Sequence, residues 1–132
     1  MRKLKNAELN RLDVDEFKNA KKTPIILVLD NVRSTHNVGS IFRTADAFRI
    51  QEIILCGITA TPPHKDIRKT AVGATESVQW QYCKNTSDAV DQLKSKGVVV
   101  LAIEQAEGSK SLSDFTPKPN TTYALVFGHE VK

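Results

Sequence analysis

The run Ile25-Ile-Leu-Val-Leu29 is apolar from end to end, and it narrows the fold more than any other stretch of the chain. A strand with one wet face alternates apolar and polar residues. A strand without alternation is covered on both faces, as in a parallel sheet. Comparable runs recur at Glu52–Cys56, Val98–Ile103 and Thr122–Phe127. A further strand is expected over Ser77–Tyr82, with Val78, Trp80 and Tyr82 on one face.

Helical patterns lie between these runs. Val38, Ile41, Phe42, Ala45 and Phe48 recur at helical spacing and predict a helix over Asn37–Phe48, capped by Ser34 or Thr35. Gly39, Arg43 and Asp46 fall on another face of it. A second helix is expected over Thr86–Lys96, capped by Ser87 or Thr86, with Ala89, Val90 and Leu93 inward and Gly97 ending it. Gly57–Asp66 reads as a loop, Ile67–Ala71 as a helical turn, and Glu104–Asn120 as mostly loop. Strands alternating with helices predict an α/β domain, a mainly parallel sheet flanked by helices.

The 132 residues suffice for one domain, and 40% hydrophobic content excludes wholesale disorder. Residues 1–23 read as a charged helical extension with a thin apolar stripe of Leu4, Leu9, Leu12, Val14 and Phe17, and residues 24–132 as the domain proper. A net charge of +4 suits an anionic partner. Cys56 and Cys83 lack CxxC spacing and read as two reduced thiols, which places the protein in the cytoplasm. No signal peptide or bilayer-length apolar segment is evident.

Asn31, Arg33, Asn37 and Arg43 gather where the first strand passes into its helix. Two amides and two guanidiniums at a helix start form a cradle for a phosphate or an adjoining sugar. The competing use of Arg43 is a surface ion pair with Asp46. Lys65, Arg68 and Lys69 form a second basic cluster, ahead of the small residues Ala71–Ala74. Gly128-His129-Glu130 follows the last strand. His36, His64 and His129 are scattered, which argues against a metal site. Neither GxGxxG nor GxxxxGK[ST] is present.

In order, these residues carry a resemblance. Asn31-x-Arg33-x-x-x-Asn37-x-Gly39-Ser-Ile-x-Arg43-Thr-Ala-Asp-Ala resembles the first signature motif of the SpoU (TrmH-like) RNA ribose 2′-O-methyltransferases of the SPOUT superfamily. Lys69-Thr-Ala-x-Gly73-Ala74-x-Glu76 is similar to that family's next segment, and Leu125-Val-Phe-Gly128-His129-Glu130 to the opening of its second motif. The resemblance implies a SPOUT-type α/β knot fold, S-adenosyl-L-methionine as methyl donor, a ribose 2′-hydroxyl of tRNA or rRNA as acceptor, and a homodimer. It implies Arg43 as the catalytic arginine, Asn37 as its polar partner and Glu130 as the second motif's carboxylate. It places the cofactor along Ala102, Ile103 and Glu104 and at Phe127 and Gly128. Asn31, Arg33, Lys65, Arg68 and Lys69 are then the RNA-binding candidates.

Three departures stand beside the match. The family's Ser-Leu-Asn-rich third motif is absent before Lys132, so the expectation is a C-terminally truncated domain with an incomplete knot. Arg49 stands where the family usually has Gly, and His129 where it often has Asn. The alternative reading is a non-catalytic RNA-binding or dimerisation module without a complete cofactor site.

Overall fold

The structure, a computed structural model, describes residues 21–103 and 115–128. The helix expected over Lys3–Lys22 lies outside them except for its last two residues, which are irregular. Glu104, His129, Glu130 and the expected knot also lie outside.

Five strands form one sheet: β1 (Thr23–Asp30), β2 (Ile50–Cys56), β3 (Trp80–Cys83), β4 (Val99–Ile103) and β5 (Tyr123–Gly128). Their order is β3-β2-β1-β5-β4 and every pairing is parallel. Among the described residues, four helices accompany them: α1 (Thr35–Ala47), α2 (Lys65–Ala71), α3 (Ala74–Ser77) and α4 (Thr86–Ser95).

Both faces of the central strands are covered, as the unbroken runs require. Leu27 and Leu29 of β1 and Ile53 and Leu55 of β2 pack under Val38, Phe42 and Ala45 of α1 and Ile67 and Ala71 of α2. The intervening residues, Ile26, Val28, Ile54 and Cys56, face the other way, against Ala89 and Leu93 of α4. Each large side chain fully buried here contributes roughly 1.5–3 kcal/mol.

Four local expectations are corrected. Phe48 is 66% exposed, because α1 ends at Ala47 and the next residue but one, Arg49, turns left-handed at φ 53°. Val78 is buried, but it caps α3 and does not belong to β3, which begins at Trp80. Tyr82 is largely exposed, being on an edge strand, and does not share a buried face. The cap of α4 is Asn85, whereas the Thr86 hydroxyl donates to Asp30 Oδ1 at 2.6 Å. For α1 the expected cap Ser34 is found, its Oγ accepting from the Asn37 N–H at 3.1 Å.

Gly39 fixes how the helices meet. Its position is buried, and a Cβ there would overlap Thr70 Oγ1 and the Ile67 carbonyl oxygen. The backbones of α1 and α2 therefore approach closely, and the Thr70 hydroxyl seals the contact by donating to His36 O at 2.9 Å.

Candidate functional site

β1 leads on to β2 at one side, while β5 enters the sheet at its other side. At such a reversal, the crevice beyond the carboxyl ends of the strands is where open α/β sheets hold ligands. Asp30 and Gly128 are register partners there, ending β1 and β5 side by side. Ile103 ends β4 opposite Phe127.

The residues Asn31–Ser34 bridge from β1 to α1 on this edge. Arg33 is exposed, as are Asn37 in the first turn of α1 and Arg43 further along it. No hydrogen bond joins Asn37 to Arg43. Six helical residues separate them by about 9 Å along the axis and ~120° around it. The expected alternative, an Arg43–Asp46 ion pair, is not formed. The one ion pair among the described residues is Lys69–Asp66, at 3.8 Å. Burial pushes the Asp46 carboxyl above its usual range. Arg43 is thus a fork of donors facing solvent.

α2 adds Lys65, Arg68 and Lys69, all exposed, on a helix held to α1 at Gly39. His64 starts this helix, its Nδ1 accepting from the Asp66 N–H at 3.1 Å. The fold therefore brings the two basic clusters onto adjoining helices.

Asn31 is placed differently from the arginines. It is half-buried at φ 54°, its Oδ1 accepts from the Ile58 N–H at 2.9 Å, and its Nδ2 donates to Asp30 Oδ1 at 3.0 Å. Its amide is spent inside the fold. Thr59, which the sequence reading missed, is buried beside it. The Thr59 hydroxyl donates to Leu29 O at 3.1 Å and accepts from the Val32 N–H at 2.9 Å. Nothing in the local sequence marks it, since both partners lie about thirty residues earlier.

On the other side of the crevice, Ala102 and Gly128 are exposed and Ile103 and Phe127 are half-buried. Among the described residues, a Cβ at Gly128 would meet nothing within 4 Å. Strand ends beside apolar side chains suit a ligand with a flat apolar ring and polar edges. Glu104 and Glu130 lie outside the described residues.

A parallel sheet with apolar strand ends on one side of its topological reversal and a cationic helix start on the other defines an α/β domain built to hold anionic or nucleotide-like ligands. More specifically, the chain belongs to the SpoU rRNA methylase family, whose model matches residues 24–132. The 23S rRNA (guanosine-2'-O-)-methyltransferase RlmB of Vibrio parahaemolyticus is 33% identical over 123 residues, which are 93% of this chain and 49% of that protein. RlmB of Haemophilus ducreyi is 29% identical over the same shares. The crystal structure of an rRNA methyltransferase from Sinorhizobium meliloti superposes with a TM-score of 0.73 at 28% identity, covering 86% of this chain and 44% of that one. Its AdoMet-bound form superposes equally well, over 43% of that chain. The chain spans about half the length of the curated relatives it matches.

Proposed function

We propose that the full-length protein transfers a methyl group from S-adenosyl-L-methionine to a ribose 2′-hydroxyl of ribosomal RNA. The carrying observation is Arg43, exposed and without an ion-pair partner among the described residues, in a family whose relatives are named for this reaction. Those relatives favour ribosomal RNA over transfer RNA as substrate.

When bound, the cofactor supplies an electrophilic methyl group on a sulfonium. The backbone at Ala102 and Ile103, ending β4, and at Phe127 and Gly128, ending β5, would hold it. The chain's remaining task is alignment, since in-line displacement disperses charge and rewards correct placement of the hydroxyl. Arg43 is a poor base, because a guanidinium holds its proton too firmly to exchange it with a hydroxyl. Its part is to fork onto the neighbouring phosphate and stabilise the oxyanion that develops on the ribose. Asn37 at the start of α1 and Glu130 in the second motif orient the acceptor. Arg33, Lys65, Arg68 and Lys69 bind flanking phosphates.

The protein acts in the cytoplasm as a homodimer. An apolar groove of about 260 Å³ between α1 and β5, edged by the exposed Phe48, supports a second copy as a partner. Among the described residues no helix is long and apolar enough to cross a membrane.

The test is labelled-methyl transfer by the full-length protein to ribosomal and transfer RNA, with calorimetry for cofactor binding. Arg43→Lys keeps the charge and loses the fork, and turnover should fall by roughly a hundredfold or more with cofactor affinity unchanged. Near-normal turnover by Arg43→Lys would refute the role of Arg43. Salt-sensitive RNA binding without cofactor binding would replace the enzyme by a binding module.

A further inference from the structure

Arg33 sits between two anchored points. Ahead of it, the Val32 N–H is held by Thr59, and after it Ser34 caps α1. Thr59 is 3% exposed and is the one buried polar side chain among the described residues. For packing alone, valine would fill that space equally well and need no partners. A buried hydroxyl is tolerated only where its hydrogen bonds are made, and here both are. Asn31 completes the anchor from the other side. Its left-handed backbone sets the turn, its Oδ1 takes the Ile58 N–H, and Gly57 leaves room for that amide, where a Cβ would overlap Asn31 Oδ1. The bridge from β1 to α1 is thereby bonded to the loop that follows β2.

We infer that Thr59 and Asn31 are positioning residues, which preset the Arg33 bridge for an RNA phosphate without touching the RNA. The inference rests on the reading, proposed above, that Arg33 binds phosphate. A guanidinium fork grips a phosphate only in a narrow geometry, so a displacement on the order of 1 Å costs much of the contact. Removing the Thr59 hydroxyl leaves the Val32 N–H without a partner and lets the bridge shift toward solvent to satisfy it. Asn31 acts by the same route, its amide fixing the approach of the Ile58 backbone.

The experiment is a double-mutant cycle in the full-length protein, read by filter binding to transcribed 23S rRNA and corrected for folded fraction by circular dichroism. Thr59→Val should weaken binding roughly tenfold, and Thr59→Ser should restore most of it. In an Arg33→Ala background, Thr59→Val should add little, because the contact it positions is already gone. Asn31→Gly keeps the left-handed turn and deletes the amide, so it should repeat the pattern if Thr59→Val folds poorly. Unchanged affinity in Thr59→Val and Asn31→Gly, or losses that add fully to that of Arg33→Ala, would reduce both residues to structural ones and overturn the inference alone. An Arg33→Ala protein with undiminished RNA affinity would overturn the phosphate reading and the inference with it.

Discussion

Replacing Gly39 with alanine tests the close approach of α1 and α2. Alanine is ordinarily the better helix residue, by about 1 kcal/mol. At this position the added methyl would overlap Thr70 Oγ1 and Ile67 O, and stand 3.0 Å from Thr70 Cβ. The Ile67 carbonyl is backbone and cannot step aside. The Thr70 hydroxyl is held by His36 O, so moving it breaks a bond worth about 1 kcal/mol. Overpacking a fitted contact costs about 1–3 kcal/mol. The helix gain offsets roughly the lost hydrogen bond, so the net loss is about 2 kcal/mol. Urea unfolding followed by the single tryptophan, Trp80, measures it. Thr70→Ala in the same chain removes one of the two collisions and should recover part of the loss. A Gly39→Ala protein as stable as the parent, or more stable, would refute the close approach and leave the joining of the two basic clusters without its basis.

Arg49 holds a left-handed conformation at φ 53°, so Arg49→Gly should stabilise the protein by about 1 kcal/mol in the same unfolding assay; no gain would mean the turn is unstrained. Burial pushes the Cys56 thiol up to about 11, so at pH 8 a disulfide reagent should modify Cys83 in the folded protein and Cys56 only on unfolding. Because the folded state retains that proton, Cys56 should also cost stability as pH climbs from 9.0 through about 11, a fall that Cys56→Ser removes from alkaline melting curves. Burial raises the Glu52 carboxyl, against the opposing pull of the Gln81 and Gln79 amides and of Lys96. The folded state therefore binds that proton more tightly, and stability is lost as pH rises through the raised pKa. Melts of Glu52→Gln and the parent from pH 4 to 7 should diverge in favour of the variant; a constant difference would contradict the burial.

The strands were legible because continuity of apolar residues is a local property that two-sided burial imposes directly. β1 carries it from Ile26 to Leu29 and β2 from Ile53 to Cys56, whereas β4, equally apolar, lies at the edge of the sheet and is only partly covered. Ser77 and Val78 were misread as the start of a strand because the four-residue helix they close holds too little of any period to be told from one. Phe48 was misread for the opposite reason. The helical period runs on past Ala47, but the left-handed Arg49 leaves no room for another turn, so the ring faces out. Of the proposed site, Arg33, Asn37 and Arg43 were singled out by their order and residue types. Thr59 was not, because its importance comes from partners reached only after the chain has folded back across the sheet. The inward turn of the Asn31 amide was hidden likewise, its partner Ile58 being twenty-seven residues away.

The misassigned cap of α4 bears on how the site keeps its charge. Thr86 would be a serviceable cap, and a side-chain cap is worth about 1 kcal/mol. Instead its hydroxyl donates to Asp30, which also accepts from the Asn31 amide. Asp30 is the last residue of β1 and stands at the edge where Arg33 and the start of α1 meet solvent. Left unbonded, its carboxylate would oppose any phosphate approaching that edge, at a distance too short for salt to screen. Two donors hold the charge, and the amino-terminal end of α4, the positive end of a helix, lies against it. Asn85 caps α4 without a side-chain bond to its backbone, and the Thr86 hydroxyl is used on the acidic group instead. Arg33, Arg43 and the α2 cations are exposed, with one ion pair, Lys69–Asp66, among them. A positive edge in a chain of only +4 net charge is thus a matter of where the carboxylates are tied down as much as of where the arginines stand.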